Sequence, residues 1–327
     1  MVAERLVEVG LNAVIVAVTD ESPRVLTVRD PGAVSAEGGS LPALPYGPLN
    51  PRNDPTMELG VRGWVKEQTG LILPYVEQLY TFGDRYRDPI ERSGGPRVIS
   101  VAYLALVREG NLSGKSDAKW RDYYAFLPWE DWRRGKPKVI SDSIIPALKF
   151  WAESSTDRIL QKARTERIAI TFGLSRSDWD PEKTLERYEL LYEAGLAGEA
   201  QLDHPELVVP RSWELPGGAL GKIMIHDHRR MLATALGRLR GKIKYRPVVF
   251  EMVPPTFTLL QLQRVVEALA GIRLHKQNFR RLLEKGGLVE GTGRLDRETG
   301  GRPAEQFRFR REVLMERRSP GVGLPVS

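Results

Sequence analysis

Residues 275–285 read HKQNFRRLLEK, a stretch dense in side chains that can address nucleic-acid bases. An Arg can donate two hydrogen bonds to guanine N7 and O6, and a Gln or Asn can pair in the same two-point way with adenine. Helical spacing collects Phe279, Leu282 and Leu283 on one face and turns Gln277, Arg280, Arg281 and Lys285 away from it. Together with Asn278, these four are the candidate DNA-contacting residues of the stretch. A solvated polar helix face would look the same in isolation, so the distribution of charge has to decide. From Arg238 to Arg318 there are 19 Lys and Arg against 9 Asp and Glu, while the whole chain has 49 against 42. The remainder is therefore slightly acidic. A near-neutral body with one basic end is the charge pattern of a phosphate-binding module.

The flanking residues supply the elements that would position such a helix. Thr258 and Gln261 make a T-x-x-Q capping box. Leu259, Leu262, Val265, Val266 and Leu269 follow at helical spacing, and Gly271 stops the helix. A second helix runs from His275 to Lys285, closed by Gly286 and Gly287. Two strand-like runs come next, Leu288–Thr292 and Gln306–Arg310, joined by a Gly-rich basic loop. Helix, turn, helix and basic hairpin form a winged helix-turn-helix, a plan used to bind DNA. Upstream, His228–Lys242 is amphipathic, with Met231, Leu232, Ala235, Leu236 and Leu239 in one stripe, and is expected to be the first helix of this unit. Arg294, Arg297 and Arg302 fall in the wing, where they can touch backbone or minor groove or belong to a solvated loop. Lys242 and Lys244 fit a phosphate-contacting stripe at the end of the first helix, or side chains that snorkel around a packed one.

The chain of 327 residues has room for two domains, each with its own core. No apolar run approaches the ~20 residues of a membrane span, and the N-terminus lacks the features of a signal peptide. With no cysteine, disulfides, thiol catalysis and cysteine-based metal sites are excluded. A cytoplasmic location is the simplest expectation. Before the basic end, Leu11–Val18 and Arg24–Val28 read as strands, 30–56 as a long Pro- and Gly-rich loop, and Met57–Thr69 as a helix capped by Gly70. Tyr75–Phe82, Arg97–Val107 and Tyr123–Leu127 read as further strands, and Ile144–Thr165 as one long helix. These elements predict an α/β sandwich over residues 1–165, a connecting segment over 166–225 with a helix at Pro181–Ala194, and a winged unit over 226–318. His204, His226 and His228 are read as surface or capping residues without a metal. Trp129, Trp132 and Trp151 are read as core and interface residues.

Two stretches carry a family resemblance. PYVEQLYTFGD followed by RVISVAYLALV resembles the central strands of Nudix hydrolases, especially the ADP-ribose pyrophosphatase-like group. The run from His228 to Leu269, followed by HKQNFRRLLE, resembles the C-terminal domain of Nudix-related transcriptional regulators. The resemblance implies an α/β (α+β) fold in which an N-terminal Nudix-like α/β/α sandwich precedes a C-terminal winged helix-turn-helix. A Nudix box sets several carboxylates on one helix to hold divalent metal, which activates water against a diphosphate. Aligned on Gly70 and Leu71, this sequence keeps Glu67 but has Gly63 and Trp64 at the Arg-Glu pair and Gln68 at the second paired Glu. The upstream Glu position falls on Pro55. One carboxylate is a poor magnesium chelator, so the expectation is no catalytic residue, no metal and no cofactor.

The resemblance then implies a ligand-responsive DNA-binding transcriptional regulator, a repressor acting as a homodimer on a double-stranded operator. Its effector would be ADP-ribose or a related phosphorylated sugar, tied to NAD or sugar metabolism. Glu67, Arg85, Arg87, Asp88 and Arg97 are the candidate ligand-binding residues, although a solvated polar loop accounts equally for the loop members. The rival reading is a divergent Nudix hydrolase acting on a nucleoside diphosphate derivative, with a basic nucleic-acid-binding tail. A third is a scaffold whose winged unit binds protein.

Overall fold

The computed structural model describes residues 7–34, 40–85, 89–174, 177–204, 218–297, 303–316 and 321–322. The N-terminal body is built on β1 (Val7–Thr19), which is buried without a break from Leu11 to Ala17. A strand so covered must lie between two layers. Its residues divide by alternation. Leu11, Ala13, Ile15 and Ala17 join one core with Val61 and Val65, while Val14 and Val16 join another with Leu148, Leu191 and Leu236. Strand β1 pairs with β2 (Ser22–Val34) antiparallel through a tight turn, and with β6 (Arg97–Leu106) parallel along its length. The sheet runs β3 (Ser40–Ala43), β2, β1, β6 and β5 (Tyr75–Phe82), with β4 (Tyr46–Pro48) on β1 and β7 (Lys119–Asp122) on β2. Strand β5 has the expected bounds. One face is covered by α1 (Met57–Thr69). Thr56 caps its N-terminus by accepting the Leu59 N–H at 3.1 Å, and Gly70 ends it. The expected sandwich is present.

Four local expectations are corrected. The loop assigned to 30–56 contains β3 (Ser40–Ala43) and β4 (Tyr46–Pro48), strands too short to show alternation. Tyr123–Leu127 is not a strand: the Asp122 carboxylate accepts the Tyr124 N–H at 3.1 Å and starts a 3₁₀ turn at Tyr123–Ala125, and a second turn follows at Pro128–Glu130. A short helix, α2 (Pro89–Arg92), lies in the loop between β5 and β6. The long helix of 144–165 is two, α3 (Ile145–Glu153) and α4 (Arg158–Phe172). Asp157 causes the break by accepting the Ile159 N–H at 2.8 Å and nucleating a new N-terminus.

The described residues of 166–225, a segment expected to connect, contribute to the same core as the sheet. They carry α5 (Thr184–Glu193) and α6 (Gly198–Asp203), with Tyr188, Leu190 and Leu191 fully buried. The winged unit begins with α7 (His228–Tyr245) and continues with β8 (Phe257–Thr258), α8 (Leu259–Ala270), α9 (Lys276–Gly286), β9 (Val289–Asp296) and β10 (Ala304–Phe309). A short α10 (Val313–Glu316) follows. Its sheet has the order β8-β10-β9. The capping box is complete: Thr258 Oγ1 accepts the Gln261 N–H, and Gln261 Oε1 accepts the Thr258 N–H. The winged unit is docked end-on against the body. Tyr124 donates its hydroxyl to the Ala268 carbonyl at 2.8 Å and the Trp132 N–H reaches the Gly271 carbonyl at 2.7 Å, so body groups satisfy the last carbonyls of α8. Gly271 is required there twice over. It has φ of 73°, and a Cβ would sit 2.5 Å from the Glu130 carbonyl. No helix among the described residues is long and apolar enough to cross a membrane.

Candidate nucleic-acid interface and ligand cleft

Helix α9 presents its faces as its periodicity requires. Phe279 and Leu283 are buried and Leu282 is half-buried, while Gln277, Asn278, Arg280, Arg281 and Lys285 are exposed. Arg280 and Arg281 make no hydrogen bond or ion pair among the described residues. Arg294, on β9, and Arg297, just beyond it, are exposed as well, and Arg302 lies outside the described residues. Lys242 and Lys244, at the end of α7, are both held in ion pairs. Lys242 is paired with the Glu77 carboxylate of β5 and lies 3.3 Å from the Tyr75 hydroxyl, and Lys244 is paired with Glu182 at 2.8 Å.

The turn between α8 and α9 is set by a residue that periodicity does not single out. Glu267 is buried on α8, where its carboxylate accepts the Leu274 N–H at 2.9 Å, the Gln263 amide at 2.9 Å and Arg273 at 2.7 Å. Burial alone would raise its pKa. The Leu274 N–H, Arg273 and Gln263 outweigh burial and hold it below the ordinary carboxylate value. Beneath lies a second hub. Glu130 is fully buried and gripped bidentately by Arg187 at 2.6 and 3.1 Å, and it is also paired with Arg240 of α7. Burial opposes its charge, but the two guanidiniums keep it ionised below the usual range. Arg240 also donates to the Leu269 carbonyl of α8, so one ion cluster joins the body, α5, α7 and α8.

On the N-terminal body, α1 uses its outer positions to hold strand β4. The Gln68 side chain accepts the Tyr46 N–H at 3.1 Å and donates to the Tyr46 carbonyl at 2.7 Å. One turn earlier, Trp64 Nε1 donates to the Pro48 carbonyl at 3.0 Å. The indole lies so close over Gly47 that a Cβ there would meet it at 2.2 Å. Gly63 faces open space, and Glu67 is exposed and paired with Lys115 at 2.9 Å. Among the described residues, no group of three or more His, Asp and Glu could hold a metal. Arg85 pairs with Glu91 at 3.3 Å, and Arg97 donates to the Gly83 carbonyl at 2.5 Å. Arg87 and Asp88 lie outside the described residues.

His228 is neither a surface nor a capping residue. It is buried at the first position of α7, with Nδ1 accepting the Leu44 N–H and Nε2 3.0 Å from Asn12 Oδ1. Those partners assign the neutral tautomer protonated at Nε2. Burial, and then the neighbouring His226, push its pKa well below the ordinary value. A further groove of about 870 Å³ lies between the body and the wing, with Leu71, Val107, Phe250 and Phe309 among its walls, and holds none of the expected site residues.

Residues 249–309 match the NrtR DNA-binding winged helix domain. Over 113 residues the chain is 34% identical to the ADPR responsive transcriptional repressor NtrR of Acinetobacter baylyi, a stretch that is 35% of this chain and 44% of that relative. Its fold is similar to that of Shewanella oneidensis NrtR complexed with a 27mer DNA, at 20% identity and a TM-score of 0.53 over 94% of this chain and 95% of that one. It is similar also to a MutT/nudix family protein from Enterococcus faecalis, at 16% identity and a TM-score of 0.53 over 95% and 89%. Fold and site together define a class: a Nudix-like body joined to a winged helix-turn-helix. Within that class, the winged helix is of the NrtR type.

Proposed function

We propose that this chain is an ADP-ribose-responsive transcriptional repressor whose winged helix reads an operator and whose Nudix-like body senses the effector without hydrolysing it. The observation that carries the reading is the exposed basic face of α9 within an NrtR-type winged helix. Gln277, Asn278, Arg280, Arg281 and Lys285 contact bases and phosphates, and Arg294, Arg297 and Arg302 of the wing contact backbone. Lys242 and Lys244 are left out because Glu77 and Glu182 hold them. The relative from Acinetobacter baylyi, named ADPR responsive, supports the choice of effector. Arg85, Arg87, Asp88, Arg97 and Glu67 are the residues assigned to its phosphates and ribose.

The absence of hydrolysis is argued from α1. Gly63 and Trp64 stand at the Arg-Glu pair of the box and Gln68 at its second paired Glu, and Trp64 and Gln68, at two carboxylate positions, are committed to the backbone of β4. Glu67 remains, neutralised by Lys115. The protein acts in the cytoplasm as a homodimer, since two-fold symmetry matches palindromic sites. An effector that binds one arrangement of the dimer better than another changes operator affinity by that difference. The test is binding of the full chain to DNA from upstream of its own and adjacent genes, with and without ADP-ribose, NAD and sugar phosphates. Saturable, salt-dependent binding to one upstream fragment that ADP-ribose alters supports the reading. Equal affinity for every fragment, unchanged by all ligands, contradicts it.

A further inference from the structure

The turn joining β1 to β2 consists of Asp20 and Glu21, both with positive φ, 49° and 60°. Two-residue hairpin turns of this kind favour Asn and Gly, because a Cβ is disfavoured in that region. Here the turn is held from outside. The Glu21 carbonyl accepts from Arg133, whose guanidinium is gripped bidentately by Asp131. Held so, the Glu21 carboxylate leaves the sensor body and meets two arginines of the reader. Arg264, on α8, lies at 3.2 Å, and Arg273, in the turn before α9, lies at 3.4 Å.

Both arginines also face the buried Glu267, at 3.5 and 2.7 Å. Two cations thus meet two carboxylates and the cluster is neutral. The carboxylates differ in kind. Glu267 builds the helix-turn-helix through its bonds to Leu274 and Gln263 and is 2% exposed. The Glu21 side chain is 45% exposed, and its ion pairs among the described residues are with these arginines alone. Arg273 precedes by two residues His275, the N-cap of α9, and the N-terminal end of a recognition helix is the end that enters the groove.

Building on the reading of the winged helix as a duplex-DNA reader, we infer that Arg264 and Arg273 are phosphate-contacting residues and that Glu21 occupies them in place of a DNA phosphodiester. The sensor body thereby lowers the reader's affinity for any duplex. Removing the Glu21 charge leaves the cluster with one net positive charge. Exposed ion pairs of this kind contribute little to stability, so the change reads out in DNA binding.

The test compares full-length wild type with Glu21→Gln, Asp20→Asn and the double variant Glu21→Gln/Arg273→Gln. Fluorescence anisotropy is measured on a random duplex and an upstream duplex across a salt series, with thermal melting alongside. Glu21→Gln should bind both duplexes roughly three- to tenfold tighter at low salt, with a salt slope steeper by about one unit. Asp20→Asn, which removes a charge from the same turn but from no ion pair, should match wild type. The double variant should lose the gain. Unchanged binding in Glu21→Gln overturns the inference, as does an equal gain in Asp20→Asn, which would be bulk charge. Weaker binding with a lower melting midpoint would make Glu21 a strut and also overturn it. If wild type binds no duplex at low salt, the DNA-reading function itself falls and the inference with it.

Discussion

Helices α1 and α9 are both short amphipathic helices with polar outer faces, and they treat those faces in opposite ways. On α9 the polar side chains project into solvent, and Arg280 and Arg281 are left without partners among the described residues. On α1 most polar positions are consumed internally: Gln68 and Trp64 bind β4, Arg62 pairs with Glu58 at 2.8 Å, and Glu67 pairs with Lys115. A face kept ready for an external partner leaves hydrogen-bonding capacity unused. A face whose capacity is taken up by neighbouring backbone and side chains offers less to such a partner. The contrast separates a surface left open to an external partner from one closed by its own fold.

The largest effect should come from the cluster that joins the two regions. Glu130→Ala strips the acid from two buried guanidiniums, and uncompensated buried charge costs about 3–5 kcal/mol. Urea unfolding should show that loss in one transition shared by body and winged helix. Two separated transitions would mean that the regions are not coupled through Glu130. Next in size, Arg281→Ala should cost roughly 1–3 kcal/mol on the specific operator and little on random DNA. Equal losses on both duplexes, seen by anisotropy, would remove Arg281 from base reading.

A pH effect follows from His228, which joins β1 and the Leu44 backbone to the start of α7. Its folded pKa lies well below the unfolded value of about 6.5. The unfolded chain therefore takes up a proton that the folded chain refuses, and stability present above that pH is lost as pH falls through it. The slope approaches about 1.4 kcal/mol per pH unit. Denaturation midpoints between pH 7 and 5 should show this decline, and a flat profile would contradict the assigned neutral tautomer. The smallest effect belongs to the box itself. Glu67→Gln breaks only an exposed pair, so stability should change by less than about 1 kcal/mol, and no ADP-ribose hydrolysis should appear or disappear. Multiple turnover in wild type that is lost in Glu67→Gln would restore α1 to catalysis.

What could be read beforehand followed local rules. The capping box at Thr258, the Gly70 cap of α1 and the two faces of α9 each depend on residues within a turn of one another, so the sequence carried them. The helix break at Asp157 is missed, because the apolar periodicity on both sides hides the Ser-Ser-Thr-Asp run that starts the second helix. The clusters that shape the site were not legible. Glu130 meets Arg187 and Arg240 across 57 and 110 residues, and no spacing signals such a partner. Lys242 looked like any basic residue on an amphipathic helix, and only the packing of α7 against β5 reveals that Glu77 claims it. His228 was misjudged for the same reason, because its partners Asn12 and Leu44 come from the far end of the chain.

The central claim, a sensor that binds its effector and leaves it intact, is tested most directly by one time course. The full chain is bound to a fluorescent operator duplex with Mg²⁺ present, a dose of ADP-ribose just sufficient to saturate the shift is added, and anisotropy is followed for hours. The account predicts a prompt shift that then holds level, because Trp64 and Gln68 stand where metal carboxylates would have to be. A shift that decays back to its starting value as the ligand is consumed would contradict it and identify the body as a working hydrolase.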